Sequence, residues 1–253
     1  MEGFMQQIFV REGDIVNGRI LVTGEDANHL GRAIRLKAGE RIRVSTDQER
    51  NFICQAISFE SNTLTLQIVE ETEDTEALNP IILFQAIPKG SRMETVIEKA
   101  VELGASQIIP VEMKYCVVKL DDKKKENRIQ RWQKIADGAA KQSKRSKMPK
   151  VGPVLSFKEA ADRLLSLDIS LVPYENAQGA AYTMELLRKV EPGQTIGILI
   201  GPEGGFAAEE IAYLRESKKA EIISLGHRIL RTDTAAIASM TLVMMASEEK
   251  SVL

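Results

Sequence analysis

The sequence predicts an α/β protein in which a small β-rich unit precedes a larger unit built on a parallel sheet. Up to about residue 69, short segments alternate polar and apolar residues, as strands with one buried face do. From residue 81 onward, apolar runs alternate with segments of helical periodicity. That alternation predicts a parallel sheet with helices on both faces.

The first unit is predicted to be a small barrel. Its strands are expected over residues 19–22, 41–44, 52–57 and 63–68. A single short helix is expected over residues 26–36. Residues 70–78 are acidic, have no apolar periodicity and end before Pro80, which is typical of a linker.

The second unit is predicted to alternate strands and helices along its whole length. The expected strands span residues 81–87, 107–111, 169–172, 195–200 and 221–225. The expected helices span residues 93–101, 129–139, 182–189, 208–216 and 234–248. Gly104 is a natural stop for the first of these helices. Trp132 lies on the apolar face of the second, where packing is a better interpretation than base stacking.

The composition excludes several classes of protein. Hydrophobic residues make up 43% and charged residues 28% of the chain, as in an ordinary globular protein. Neither a signal peptide nor a membrane-spanning run is recognisable, so no membrane partner is expected. Cys54 and Cys116 have no metal-like or redox spacing, which fits a reducing cytoplasm. His29 and His227 are far apart in sequence, so no metal is predicted.

Positive charge is concentrated in two stretches, although the net charge of the chain is only −2. Residues 114–150 contain thirteen Lys or Arg against four Asp or Glu, a net of +9. Residues 32–43 contain five basic residues against Glu40, a net of +4. Two basic patches on a nearly neutral protein indicate a polyanionic partner, although solvated helix faces are the alternative.

Two glycine-containing loops each follow a predicted strand and precede a predicted helix. The first, at residues 201–205, matches neither the dinucleotide nor the triphosphate spacing of glycines. The second begins at Gly226, and its Ile229 and Leu230 suggest apolar walls for a flat ring. Bends of this kind can share one ligand at the carboxyl ends of a parallel sheet. The alternatives are a tight turn with no ligand and a helix capped by Thr232 or Asp233 with two anchoring aliphatic residues.

Several motifs together resemble the RsmE family, which are 16S ribosomal RNA (uracil-N3)-methyltransferases of the SPOUT class. In the first unit the resemblance lies in His29-Leu-Gly-Arg-Ala-Ile-Arg-Leu36. In the second it lies in Lys89-Gly-Ser-Arg-Met-Glu94, Lys99-Ala-Val-Glu-Leu-Gly104, Arg131-Trp-Gln-Lys-Ile-Ala136 with Gln142-Ser143, Gly201-Pro-Glu-Gly-Gly-Phe206 and Leu225-Gly-His-Arg-Ile-Leu-Arg-Thr-Asp-Thr-Ala235. The motifs span nearly the whole chain and occur in order.

The resemblance implies a PUA-like β-barrel over residues 1–72 and a SPOUT methyltransferase domain with a trefoil knot over residues 73–253. It also implies a homodimer, S-adenosylmethionine as methyl donor, and 16S rRNA or the 30S subunit as substrate. General topology rules argue against knots, so periodicity alone predicts only a doubly wound α/β domain. The implied cofactor-binding residues are Leu199, Gly201, Pro202, Glu203, Gly204, Gly205, Leu225, Gly226, Ile229, Leu230, Thr232, Thr234 and Ala235.

Methylation of uracil N3 requires loss of the imide proton and stabilisation of charge on the flanking carbonyl groups. Arg231 is the first residue expected to stabilise that charge. Glu203 and Asp233 are the carboxylates that can serve as base. Asp233 is equally well explained as a helix cap, and Arg231 as a phosphate ligand or a partner of Glu203.

RNA is expected to contact cations in both units, because Lys and Arg neutralise phosphates and release counterions. The expected residues are Arg32, Arg35, Arg43, Lys89, Arg92, Lys141, Lys144, Arg145 and Lys147.

The chain departs from the family pattern in two places. Lys114-Tyr115-Cys116 stands where the family often has Glu-Arg-Cys or Glu-Arg-Ser, and Thr232-Asp233-Thr234 replaces Thr-Glu-Thr. Three other functions remain as alternatives. They are an RNA-binding module with a vestigial catalytic domain, a SPOUT enzyme acting on another RNA or base atom, and an unrelated α/β enzyme that binds a nucleotide or phosphate.

Overall fold

The structure is a computed structural model that describes residues 5–175 and 179–249. The described residues form two compact units. The first contains the chain up to Glu76 together with Ala140–Met148, and the second contains Ala77–Ala139 and the chain from Pro149 onward. The predicted division at residue 72 stays a prediction, and the short basic segment Ala140–Met148 is an addition to the first unit that no sequence pattern indicates.

The first unit is built on one six-stranded sheet. Its strands are β1 Gln7–Val10, β2 Ile15–Val16, β3 Arg19–Val22, β4 Arg41–Thr46, β5 Asn51–Glu60 and β6 Thr63–Thr72, in the order β1-β4-β5-β6-β3-β2. All pairs are antiparallel except β1 with β4. Side chains of one face, including Ile20, Ile42 and Leu66, are fully buried and form the core of this unit.

The predicted helix over residues 26–36 is two shorter elements. The α-helix α1 Gly24–Asn28 continues as a π-helical turn, His29–Ile34. The turn ends where Arg35 adopts a left-handed conformation with φ 58°. The wider turn brings Gly31 against the ring of Phe59, where a Cβ atom would clash. Side-chain packing therefore changes the helix geometry that periodicity predicted.

The acidic stretch predicted as a linker is partly ordered structure of the first unit. Strand β6 extends to Thr72, and the side chain of Glu76 is 9% exposed. One carboxylate oxygen of Glu76 accepts hydrogen bonds from the backbone N–H groups of Ser146 and Lys147, at 2.8 and 3.0 Å. The guanidinium of Arg145 forms a salt bridge with the same carboxylate.

The second unit is built on a parallel sheet, as predicted. Its strands are β7 Ile81–Ala86, β8 Ala105–Glu112, β9 Lys150–Val151, β10 Leu155–Ser156, β11 Ile169–Pro173, β12 Ile196–Ile200 and β13 Ala220–Ile223. Six of them follow the order β10-β8-β7-β12-β11-β13, and β9 pairs with β8. Every pair is parallel. Strands β7 and β12 are buried along their whole length because they lie at the centre of the sheet.

Helices alternate with these strands. They are α2 Arg92–Glu102, α3 Asp122–Gln142, α4 Phe157–Leu164, α5 Ala180–Arg188, α6 Ala208–Glu216 and α7 Thr232–Glu248. Helix α4 was not predicted, although a capping box between Ser156 and Glu159 marks its start. Trp132 of α3 is 2% exposed, so its predicted packing role is confirmed. Among the described residues, no helix combines the length and the apolar composition that a bilayer crossing requires.

Candidate active site

The site lies at the carboxyl ends of three adjacent parallel strands. In the sheet, β11 lies between β12 and β13. The chain leaves β12 through the glycine loop at residues 201–206 and leaves β13 through the loop at residues 224–231. These two loops, the residues that follow β11 and the first residues of α7 line one cavity of about 490 Å³. A cavity of this volume is typical of small-molecule and cofactor sites.

The structure brings most of the predicted cofactor-binding residues together around this cavity. The residues that line it are Gly201, Pro202, Glu203, Gly204, Gly205, Leu225, Gly226, Ile229, Leu230, Thr232 and Ala235. Two predicted residues lie elsewhere. Leu199 is fully buried within β12 and packs in the core, and Thr234 is exposed on the first turn of α7. The two loops are distant in sequence, and they meet because their strands lie on either side of β11.

Sequence analysis missed the wall of the cavity that β11 contributes. Pro173, Tyr174 and Glu175 line it at the end of this strand. The ring of Tyr174 meets that of Phe206 edge-on, with centroids 6.1 Å apart. The signal that could have found these residues is the strand order, because a loop after the middle of three strands must lie between the other two loops.

A buried hydrogen-bond network ties the two glycine loops to the centre of the sheet. The Thr232 hydroxyl donates to the carbonyl oxygen of Gly201 at 2.8 Å. The same hydroxyl accepts from the amide Nε2 of Gln85, at 2.9 Å, in the fully buried strand β7. Thr232, the first residue of α7, therefore connects the end of the second glycine loop to the first glycine loop. The expected N-cap at Thr232 or Asp233 is wrong, because the cap position is Arg231, which makes no side-chain cap hydrogen bond.

Close contacts and backbone angles explain why both loops contain glycine. A Cβ atom at Gly201 would lie 2.9 Å from the ring of Phe206, and one at Gly204 would lie 2.9 Å from Cβ of Tyr115. Gly205 and Gly226 adopt φ values of +72° and +108°, a region that other residues rarely occupy. The main chain at these glycines therefore faces the cavity without a covering side chain.

The three predicted catalytic residues have different environments. Arg231 is exposed and lines the cavity. Glu203 also lines it, and its carboxylate accepts from Arg92 at 2.7 Å and from the Lys89 backbone N–H at 3.0 Å. Asp233 does not line the cavity, and no described residue hydrogen-bonds to its buried Oδ1 atom. The pairing of Arg231 with Glu203 that the sequence left open is replaced by the pairing of Arg92 with Glu203.

The predicted RNA-binding cations of the second unit lie beside the site. Lys89 and Arg92 are on the loop after β7 and at the start of α2. Lys89 is exposed, while Arg92 is held against Glu203. Arg92 therefore holds a carboxylate of the site, and it also lies where RNA is expected to bind.

The predicted RNA-binding cations of the first unit differ in how accessible they are. Arg32, Arg35 and Lys144 are exposed. Lys141 pairs with Asp26 and Lys147 with Glu49, both at partly exposed positions.

Arg43 and Arg145 are the two cations of that unit that packing withdraws from solvent. Arg43 is half-buried, and desolvation lowers the pKa of its guanidinium. Arg145 is 6% exposed and pairs with Glu76. A guanidinium enclosed in this way presents little surface to a phosphate.

Comparison with known proteins identifies the family. A model of the RNA methyltransferase domain family matches residues 75–244, which is more than half of the chain. The ribosomal RNA small subunit methyltransferase E of Bacillus subtilis is 33% identical over 232 residues, covering 90% of each protein. The chain belongs to the ribosomal RNA small subunit methyltransferase E family. The family resemblance drawn from the motifs is therefore confirmed.

Solved structures related to this family share the fold. The ribosomal RNA small subunit methyltransferase E of Neisseria gonorrhoeae, bound to S-adenosyl methionine, superposes with a TM-score of 0.82 at 28% identity, over 95% of this chain and 97% of that one. A Legionella pneumophila methyltransferase in complex with the same bound cofactor gives a TM-score of 0.81 at 28% identity, over 96% and 98% of the two chains. No group of three or more metal-binding side chains occurs among the described residues of this family member.

Proposed function

We propose that this protein transfers a methyl group from S-adenosylmethionine to N3 of a uridine in 16S rRNA of the small ribosomal subunit. Membership of the ribosomal RNA small subunit methyltransferase E family supports the reaction and the class of substrate. The observation that carries the proposal is the cavity where two glycine loops meet beside β11. The cofactor reported in the two related structures supports assigning this cavity to the methyl donor.

The residues around the cavity fit S-adenosylmethionine. No side chain covers the main chain at Gly204, Gly205 and Gly226, so its carbonyl groups are accessible to an adenine edge and a ribose. The N–H groups of Gly205 and Gly226 already donate to Pro202 and Ser224 and hold the loops in shape. Ile229 is 85% exposed and Leu230 is partly exposed, so both aliphatic side chains are available to cover a flat ring. The bound cofactor supplies an electrophilic methyl group on a sulfonium centre.

The protein's own residues have to generate and stabilise the uracil anion. Arg231 lines the cavity and is exposed, so its guanidinium is the donor that we assign to a uracil carbonyl oxygen. We retain Glu203 and Asp233 as the two candidate proton acceptors. Glu203 is the one that lines the cavity, and Arg92 holds its carboxylate in place. Positioning of N3 against the methyl group contributes in addition to these charges.

The exposed and partly exposed cations of both units are proposed to bind rRNA. In the first unit, which we interpret as the PUA-like domain, these are Arg32, Arg35 and Lys144, with Lys141 and Lys147 in weaker, partly paired positions. In the second unit they are Lys89 and Arg92. Such contacts position folded RNA, and the target base must leave its stack to reach the cavity.

We also propose the trefoil knot and the homodimer of the family. The knot is supported by the path after β13, where the chain returns from the sheet edge to the centre and Thr232 contacts Gln85 and Gly201. The homodimer is supported by α7, which has no charged residue between Asp233 and Glu248 and exposes 62% of Met245. A helix that carries no charge over most of its length favours burial of most of its surface. A ribosomal substrate makes the cytoplasm the expected location.

The decisive experiment identifies the methylated atom. Purified protein is incubated with S-adenosylmethionine and either 16S rRNA or 30S subunits, and the nucleosides are analysed by mass spectrometry. We expect 3-methyluridine at one position. A methyl group on another atom would assign the protein to a different specificity, and no cofactor binding by calorimetry would leave an RNA-binding module.

The same assay separates the two carboxylates. The variants are Glu203→Gln and Asp233→Asn, each of which keeps the shape of the side chain. Loss of the proton acceptor is expected to lower kcat by about a hundredfold or more, while loss of a structural carboxylate changes kcat much less. If neither variant lowers kcat, both residues are excluded as base.

A further inference from the structure

A tight turn after β8 places one exposed aromatic side chain beside the cofactor cavity. The turn covers residues 113–116, and its Cys116 N–H donates to the Met113 carbonyl at 3.1 Å. Tyr115 at its tip is 46% exposed. No described residue forms a hydrogen bond with its hydroxyl group. Because nearly half of Tyr115 is exposed, part of its side chain can contact a ligand.

The turn is fixed to the helix that follows the first glycine loop. The backbone N–H of Lys114 donates to Oε1 of Glu210 at 3.0 Å, and Oε2 of Glu210 accepts from the backbone N–H of Ala207 at 2.8 Å. Glu210 is 4% exposed. The ammonium of Lys114 pairs with Glu209. Through these contacts the turn and the start of α6 form one rigid support.

The backbone of this turn packs directly on the cavity wall. Gly204 lines the cavity, and a Cβ atom there would lie 2.9 Å from Cβ of Tyr115 and 3.6 Å from its carbonyl oxygen. The absence of a side chain at Gly204 therefore allows Tyr115 to approach the cavity. Its ring stands next to a loop that we assign to the methyl donor.

One cation lies next to this ring, and two others line the cavity. Lys114 has its Nζ atom 5.9 Å from the centre of the Tyr115 ring. Lys89, Arg228 and Arg231 are exposed, and Arg228 and Arg231 line the cavity. An exposed aromatic ring among cations is the arrangement that binds an unpaired nucleotide, because the ring stacks on the base while the cations attract the phosphates.

We propose that Tyr115 is the platform on which the target uridine, once unstacked from the RNA, is received at the mouth of the cavity. This inference rests on the proposed function. The family motif often has an arginine at this position, whereas this chain has Tyr115. Tyr115 acts as a substrate-positioning residue, because the uracil base stacks on the face of its ring.

The test compares side chains that differ in their ability to stack. The variants are Tyr115→Leu and Tyr115→Phe, and Val117→Ala is the control because Val117 is 69% exposed on the neighbouring segment. Tyr115→Leu is expected to raise KM for RNA by about tenfold or more, in line with the contribution of one base–aromatic stack. Tyr115→Phe should recover most of that loss, since it keeps the ring. Val117→Ala should leave KM unchanged.

A second readout detects stacking itself. A fluorescent uridine analogue is placed at the position that the unsubstituted protein methylates, and its quenching on binding is measured. Quenching is expected with the unsubstituted protein and with Tyr115→Phe, and it should be lost in Tyr115→Leu. Binding of S-adenosylmethionine, measured by calorimetry, should change less than twofold in all variants.

Three results would overturn the proposal. The first is an unchanged KM for RNA in Tyr115→Leu. The second is an equal loss of cofactor affinity, which would mean that the residue only supports the Gly204 loop. The third is a change in oligomeric state on size exclusion, which would place the ring in a subunit interface. Failure of the proposed function is distinct, because the unsubstituted protein would then methylate no RNA.

Discussion

At the scale of single residues, function depends on where side chains are missing as much as on where they are present. Gly204 lines the cavity, and a Cβ atom there would lie 2.9 Å from Cβ of Tyr115. Sequence spacing predicted the importance of this glycine, because adjacent glycines after a buried strand leave backbone groups exposed. The identity of its neighbour could not be predicted, because Tyr115 lies 89 positions earlier in the chain.

The substitution Gly204→Val is expected to abolish cofactor binding while RNA binding persists. The added side chain has no room against Tyr115, so the loop must move away from its position. Calorimetry with S-adenosylmethionine and a filter-binding assay with 16S rRNA measure the two affinities separately. Gly138→Val is the matched control, since an exposed glycine of α3 has open space around it. Simultaneous loss of both affinities would indicate misfolding.

Both cysteines are expected to resist alkylation in the folded protein. Burial raises the pKa of the Cys54 thiol to about 12, and burial also raises the pKa of Cys116. The reactive thiolate is therefore scarce at pH 8. Mass spectrometry after iodoacetamide treatment should show no labelling without denaturant and two labels in its presence. Rapid labelling of the native protein would contradict this burial.

At the scale of elements, the alternation of strands and helices could be predicted, but their order in the sheet could not. Each buried run and each amphipathic stretch is a local pattern, and most were located correctly. The neighbours of β11 depend on contacts between distant segments, so the wall formed by Tyr174 was missed. Helix α4 was missed because its buried face contains the small residues Ala160 and Ala161, which give a weak apolar signal.

The tie between α7 and the first glycine loop is expected to stabilise both the fold and the cofactor site. Thr232→Val keeps the shape but removes the hydroxyl that donates to Gly201 and accepts from Gln85. The Gly201 carbonyl loses this hydrogen bond, and Gln85 Nε2 keeps only its bond to the Ala86 carbonyl. Each lost hydrogen bond of this kind costs about 1–3 kcal/mol. The free energy of unfolding from urea titration and the affinity for S-adenosylmethionine should both fall. Thr232→Ser should restore them, and if it does not, the hydroxyl is not the cause.

At the scale of the whole molecule, we propose two different tasks for the cations of the basic region, which are RNA binding and stabilisation of the first unit. Local sequence shows its net charge but cannot show which cations are already paired. Glu76, which pairs with Arg145, lies 69 positions away from it in the sequence. Charge density therefore predicts an RNA surface, but it cannot separate exposed cations from those that hold the first unit together.

Two substitutions in the same segment should separate these tasks. Arg145→Met leaves the buried Glu76 carboxylate without its partner, which is expected to cost about 3–5 kcal/mol of stability. Lys144→Met should leave stability unchanged and reduce the salt dependence of RNA binding by about one ion, because we propose that this exposed side chain contacts a phosphate. Urea unfolding and RNA affinity at several salt concentrations measure both effects. The reverse pattern would show that Arg145 is the RNA ligand.

The cavity draws its walls from Pro173 through Ala235, so its final portion is translated late. A nascent polypeptide emerging from the exit tunnel already contains the sheet centre and the earlier bend, yet it cannot hold its ligand until α7 has been synthesised. A premature stop codon ahead of Thr232 would accordingly yield a truncated product that lacks the last wall of the cavity.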